Sequence, residues 1–164
     1  MKKVLLLAFV LVLIVALSGC AYGTAAPPQT DEADEKSVIS TVEGFGKKLQ
    51  EVSLLAPKDM VEKSMKESYG DFVSQELIEK WAEEPESAPG RLTSSPWPDR
   101  IEIRTIKKLT GNAYVVNGEV IEITSKEVTG GGIAEKQQIT LTLKKADDRW
   151  LIDDVTLGDY KKID

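Results

Sequence analysis

One thiol, no imidazole and a scatter of carboxyls set the chemistry open to this chain of 164 residues. Cys20 is its sole cysteine, and there is no histidine. A catalytic thiol needs a neighbouring base to hold its thiolate, so Cys20 lacks the usual partner. The missing imidazole also removes His-based metal sites, Ser-His and Cys-His pairs, and the side chain best suited to proton transfer near neutral pH. What remains for acid–base work is Asp71, Glu76, Asp99 and Tyr69, each near an expected helix end or strand start. Ordinary structural duties suit them better. Asp71 and Glu76 fit helix-flanking charge, and Tyr69 fits a core position with a wet hydroxyl. Gly130-Gly131-Gly132 lacks the Lys-Ser/Thr and the helix of a phosphate-binding loop, and no cofactor is implied. These residues point to a non-catalytic domain.

For binding, the segment Arg91-Leu92-Thr93-Ser94-Ser95-Pro96-Trp97-Pro98-Asp99-Arg100 is the leading candidate. Two prolines stiffen Trp97 by fixing their own φ and restricting the residue before each. A rigid aromatic beside Arg91 and Arg100 has the composition of a contact hot spot. The plainer alternative folds Trp97 back over the core and leaves Asp99 and Arg100 as a surface pair. Tyr69 completes the candidate set of Trp97, Arg91, Asp99, Arg100 and Tyr69.

Cys20 gains meaning from what precedes it. Lys2 and Lys3 are followed by an apolar run from Val4 to Leu17, the layout of a secretory signal. At about fourteen residues the run is short of the roughly twenty needed to span a bilayer. The ending Leu17-Ser18-Gly19-Cys20 resembles the lipobox of bacterial lipoproteins. That resemblance implies diacylglyceryl transfer to Cys20, removal of residues 1–19, and an anchor on the extracytoplasmic face of a bacterial membrane. Loss of Lys2 and Lys3 from 21 basic residues leaves 19 against 27 acidic ones, a formal charge of −8. Such a balance argues against nucleic acid as a partner. With no second cysteine, stability must come from an ordinary core.

The elements that would carry these residues follow from period. Residues 20–36, with Ala-Ala-Pro-Pro at 25–28 and the acidic run 31–35, read as the lipidated Cys and a flexible tether. Residues 37–164 read as a single domain. Val38, Val42, Phe45, Leu49 and Val52 form one helical stripe, interrupted by Gly44 and Gly46, which a close neighbour must justify. Pro57 opens a second helix with Val61, Met65 and Tyr69, stopping at Gly70, and Ser74 caps a third carrying Leu77, Ile78 and Trp81. Residues 84–99, with four prolines, read as a long loop. Four strands follow, around Ile101–Ile103, Ala113–Thr124, Ile139–Leu143 and Trp150–Leu157. Turns at Gly111-Asn112 and Asp147-Asp148, a bulge at Gly118 and a flexible Gly130–132 connection punctuate them. Their short connections predict an antiparallel meander.

The predicted class is α+β, N-terminal helices packed on a curved antiparallel sheet of about four strands. This order, with the closing Asp148-Arg149-Trp150-Leu151-Ile152-Asp153-Asp154-Val155, resembles the nuclear transport factor 2-like (cystatin-like) superfamily. The resemblance implies a cone whose interior lies between helices and sheet. Superfamily enzymes such as ketosteroid isomerases and dehydratases place an Asp, Tyr or His there. For this chain the expected function is a non-catalytic module binding an envelope partner. The alternative is a carrier or sensor of a small apolar ligand in the cone, with an isomerase or dehydratase behind both. The directions of Tyr69, Asp71, Asp99 and Tyr114 bear on that choice.

Overall fold

The computed structural model describes residues 30–109 and 112–163. The expected signal of residues 1–19, Cys20 of the expected lipobox and most of the expected tether lie outside the described residues, as does Gly111 of the first hairpin turn. Among the described residues no helix is long and apolar enough to cross a membrane.

Helix α1 runs Thr30–Lys48 and tightens into a 3-10 turn over Leu49–Glu51. The predicted stripe is its buried face: Val38, Val42, Phe45, Leu49 and Val52 are all fully buried. The helix starts earlier than expected, so residues 30–36 are helical and are not tether. Asp31 and Glu32 sit in its first turn, where carboxylates favour the positive end of the helix dipole. Distant groups then hold that turn in place. Asp31 pairs with Lys108. Asp34 accepts from Lys145 Nζ at 3.0 Å and from Trp150 Nε1 at 3.1 Å. These donors, the Lys145 ammonium foremost, hold the Asp34 carboxyl below its ordinary range.

Helices α2 (Lys58–Tyr69) and α3 (Gln75–Glu83) follow as predicted. Pro57 precedes the first turn of α2, and the Ser74 hydroxyl accepts from Leu77 N–H at 3.3 Å to cap α3. The link between them lies along the sheet. Ile152 N–H donates to Phe72 C=O and Ser74 N–H to Ile152 C=O, both at 2.8 Å. This short parallel bridge covers part of an edge that would otherwise be free to pair.

The sheet has the order β1-β2-β3-β4, an antiparallel meander of Trp97–Lys108, Ala113–Ile123, Glu135–Ala146 and Arg149–Lys162. Helix α1 packs against both edge strands, β1 and β4, with the sheet curved around it. Irregularities bend the strands. In β1 the register shifts at Asp99 and at Arg104, and in β4 at Asp153 and around Gly158. The bulge expected at Gly118 therefore lies opposite it, on β1. Gly118 serves that approach, since a Cβ there would stand 2.8 Å from Glu102 C=O. The β3–β4 turn is Asp147-Asp148, with φ of 47° and 62°, the left-handed pair that tight hairpins need.

Two connections differ from expectation. The link after β2 holds a helix, α4 (Ser125–Gly130), closed by a capping box between Thr124 and Glu127. Only Gly131 and Gly132, with φ of 76° and 98°, make the turn out of it. The proline-rich stretch also carries more structure than a loop. Pro85–Ser87 is a 3-10 turn, Ala88 is buried, and Trp97-Pro98-Asp99 already belongs to β1. An edge strand tolerates the N–H that Pro98 lacks.

Candidate functional site

The cone interior is the first place to look for a site, and it is packed. Phe45, Tyr69 and Trp81 form a cluster with centroid separations of 4.9, 6.4 and 6.2 Å, and none is more than 1% exposed. The Tyr69 hydroxyl donates to Pro89 C=O at 2.8 Å, pinning the proline-rich segment to α2. Burial pushes its phenol far above the ordinary value, so Tyr69 neither ionises nor meets solvent. Tyr114 is buried as well, edge-on to Trp150 at 5.0 Å.

The other members of the sequence-derived set are scattered. Arg91 acts through its backbone, which bonds Val52 C=O and Leu54 N–H. Trp97 is half-buried at the start of β1, in register with Ile123. Arg100 binds Asp99 at 2.7 Å and Glu102 at 2.6 Å. This pairing continues along the outer sheet face through Arg104, Glu119 and Lys136, so Arg100 is committed to its own strand's carboxylates. Neither arginine stacks on Trp97: among the described residues the cation–π pairs are Lys108–Tyr114 and Lys145–Trp150. Trp97, Arg91, Asp99, Arg100 and Tyr69 are not brought together as one site; among the described residues the one side-chain bond within the set is Arg100 to Asp99.

Two other constellations are. The first is an open groove of about 310 Å³ where the α1 surface meets the β3–β4 turn. Ser37, Ser40 and Thr41 line one wall, Asp71, Asp148 and Arg149 the rim, and Phe72 and Trp150 the floor. The three hydroxyls share a wall because residues three and four apart fall on one helix face. The Thr41 hydroxyl donates to Trp150 C=O at 3.1 Å, tying α1 to β4. Asp71, Asp148 and Arg149 make no ion pair among the described residues, although 13 such pairs exist elsewhere. Charges left free around an aromatic floor are what a polar ligand would engage. Of the acid–base candidates only Asp71 enters this groove, and Glu76 is exposed on α3.

The second constellation was missed in the sequence. Glu122 is 6% exposed, on the inward face of β2 in step with Tyr114, Val116 and Val120. Its register partner on β3 is Glu135, and Tyr160 of β4 faces its carboxyl. Burial, then the Glu135 charge, raises the Glu122 carboxyl above the glutamate range. Burial and Glu122 push the Tyr160 phenol up to about 12. Inward spacing by twos from Tyr114 was the available signal for Glu122. No group of three or more acidic, His or Cys residues able to hold a metal is present among the described residues.

No family model matches the chain, and no curated protein matches it. Solved structures do. One is the crystal structure of an NTF-2-like protein of unknown function from Shewanella oneidensis MR-1, 17% identical, with a TM-score of 0.42. The match covers 76% of this chain and 98% of that one. Another is a variant of Rd1NTF2_05, 11% identical with a TM-score of 0.39, covering 78% and 99% of the two chains. The chain is similar to NTF2-like proteins. At such identities the NTF2-like similarity concerns chain path and carries nothing about ligand or chemistry.

Proposed function

We propose that the protein is a membrane-tethered, non-catalytic binding module on the extracytoplasmic face, engaging a polar envelope partner through the groove between α1 and the β3–β4 turn. The carrying observation is the convergence of Asp71, Asp148 and Arg149, which make no ion pair among the described residues, around Phe72 and Trp150. The packing of the cone by Phe45, Tyr69 and Trp81 weighs against an apolar ligand inside it. An isomerase or dehydratase needs a buried carboxyl or tyrosine facing its cavity, and the carboxyls that line the groove, Asp71 and Asp148, are exposed.

A photo-crosslinking residue at Ser40, in the groove, is expected to capture its partner in cells, while one at Glu79 on α3 is not. Arg149→Ala should cut the Ser40 yield about tenfold or more, the loss of one charge-assisted hydrogen bond at roughly 1.5–3 kcal/mol. Melting temperature should not change, because Arg149 is exposed and makes no ion pair among the described residues. Equal yields from the two positions would remove the groove as the contact surface.

The tether is tested separately. Cys20→Ala should release the intact domain into the soluble fraction or leave an uncleaved precursor. Recovery of an acylated, membrane-bound Cys20→Ala chain would sink the lipid-anchor reading.

A further inference from the structure

The first turns of α1 are fastened to the strand ends of the sheet. Asp31 pairs with Lys108, the last residue of β1. Asp34 accepts from Lys145 near the end of β3 and from Trp150 near the start of β4. The chain therefore enters the domain at the end that carries the β3–β4 turn, and that turn supplies Asp148 and Arg149 to the groove. Ser37 and Ser40, on the groove's other wall, stand only about 10–15 Å along α1 from Thr30. Nine residues separate Thr30 from Cys20, and that length of chain spans at most about 36 Å whatever its conformation. A globule of about 130 residues has a radius of gyration of about 14 Å, hence a diameter of about 36 Å. With lipid on Cys20, no part of the surface is held closer to the membrane than the end bearing the groove. Leu109, 39% exposed just past β1, lies at this end too. Leu92 follows the far end of α1, where Arg91 bonds Val52 and Leu54.

The groove's charges narrow what it can take from that surface. They are two carboxylates, Asp71 and Asp148, and one guanidinium, Arg149. The lysines beside them are already engaged, Lys144 by Asp153 and Lys145 by Asp34. An anion alone would meet Arg149 against two carboxylates, and a cation alone would leave Arg149 unserved. A ligand carrying both charges a few ångströms apart satisfies the whole set. Its anion suits a phosphate, which a planar guanidinium holds through two parallel N–H donors. Its cation suits a primary ammonium, because what faces it are acceptors, the two carboxylates and the exposed Ser40 hydroxyl. A quaternary ammonium has no N–H to give and relies on open aromatic faces. Trp150 does not offer one: it is 5% exposed, and Lys145 Nζ already stands 5.8 Å from its ring centroid.

We propose, resting on the groove and the lipid anchor put forward above, that the groove takes a phosphoethanolamine headgroup from the membrane that holds the protein. The ammonium sits between Asp71 and Asp148 and the phosphate on Arg149, with Leu109 against the lipid beside them. A tether this short keeps headgroups at high effective concentration next to the groove. A site too weak to capture the same group from solution is therefore filled at the membrane. The domain's acidic excess does not oppose the contact, because phosphoethanolamine carries no net charge, whereas an anionic headgroup would be repelled. Occupancy seats the domain in one orientation, with the groove and Leu109 on the lipid and Leu92 away from it.

The experiment places the full acylated chain in phosphatidylcholine nanodiscs with and without phosphatidylethanolamine. The two lipids have the same net charge, so only the headgroup chemistry differs. The Phe72 ring, Thr41 methyl and Arg149 guanidinium resonances are expected to shift with phosphatidylethanolamine and to stay in place with phosphatidylcholine or phosphatidylglycerol alone. A nitroxide on the headgroups should broaden the Ser40 and Leu109 amides and spare Leu92. Soluble glycerophosphoethanolamine should give the same shift only at far higher concentration, and its affinity should fall about tenfold in Asp148→Asn and in Arg149→Ala. An equal shift with phosphatidylcholine or phosphatidylglycerol would overturn the ammonium site. Tight saturation by the soluble compound would overturn the membrane as the source, and broadening at Leu92 equal to that at Ser40 would overturn the orientation. Capture of a protein at Ser40 with no response to either ethanolamine compound would overturn the headgroup and leave the groove standing as a contact surface. If Cys20 carries no lipid, the anchor fails by itself, and the soluble titration of the groove still decides the ligand.

Discussion

Trp81→Ala is expected to lower the unfolding free energy by about 3–5 kcal/mol, the range for removing a large aromatic from a closed core. Trp81 is 1% exposed and, with Leu77 and Ile78, forms the face by which α3 joins the core. Its ring lies near-parallel to Phe45 of α1, with an interplanar angle of 11°, and edge-on to Tyr69 of α2 at 75°. One side chain therefore joins three helices. Aromatic pairs of this kind add about 0.5–1.5 kcal/mol beyond burial alone. The space left could not easily be refilled, because Phe45 and Tyr69 are themselves held, Tyr69 by its bond to Pro89. Urea unfolding should show a lower midpoint with an unchanged slope. Trp97→Ala is the internal control: Trp97 is half-buried at an edge strand and should cost clearly less. Equal losses at the two tryptophans would mean that the stability does not centre on the Phe45–Tyr69–Trp81 cluster.

The same residues mark what the sequence made legible. The stripe Val38–Val42–Phe45–Leu49–Val52 and the inward alternation of Ile139, Leu141 and Leu143 are local patterns, and both gave their elements and buried faces. The meander followed because the connections were short. The start of α1 could not be read the same way. An acidic run looks solvated until Lys108, Lys145 and Trp150 are brought to it from 77, 111 and 116 residues away. The groove was hidden for the same reason, since its walls come from α1, the α2–α3 link and the β3–β4 turn. For Arg91–Arg100, composition alone could not show which side chains a strand already employs. Arg100 is taken up by Asp99 and Glu102, and Arg91 contributes its backbone. Glu122 is different: its alternation with Val116 and Val120 placed a carboxylate inward, a local conflict of the kind that marks sites other than plain core.

Gly46→Ala is expected to destabilise the fold by about 1–3 kcal/mol, the cost of overpacking a tight contact, where the same change in an unconstrained helix would stabilise it by about 1 kcal/mol. The sign reverses because of what faces Gly46. A Cβ there would stand 2.6 Å from the backbone nitrogen of Ile101 and 3.1 Å from its Cγ1. Backbone cannot rotate aside, so either α1 lifts or β1 shifts, and Ile101 is in register with Val120 in the middle of β1–β2 pairing. Gly46→Leu should cost more still, since every rotamer begins from the same misplaced Cβ. Gly44 provides the contrast. Its added methyl would collide with the Phe72 ring, a half-buried side chain at the groove floor that can turn away. Gly44→Ala should therefore cost less in stability and disturb the groove instead, seen as a shift in the Phe72 ring resonances. A rise in the unfolding midpoint for Gly46→Ala would show that α1 does not rest on β1 at backbone distance, and the close helix–strand seating of the cone would have to be given up.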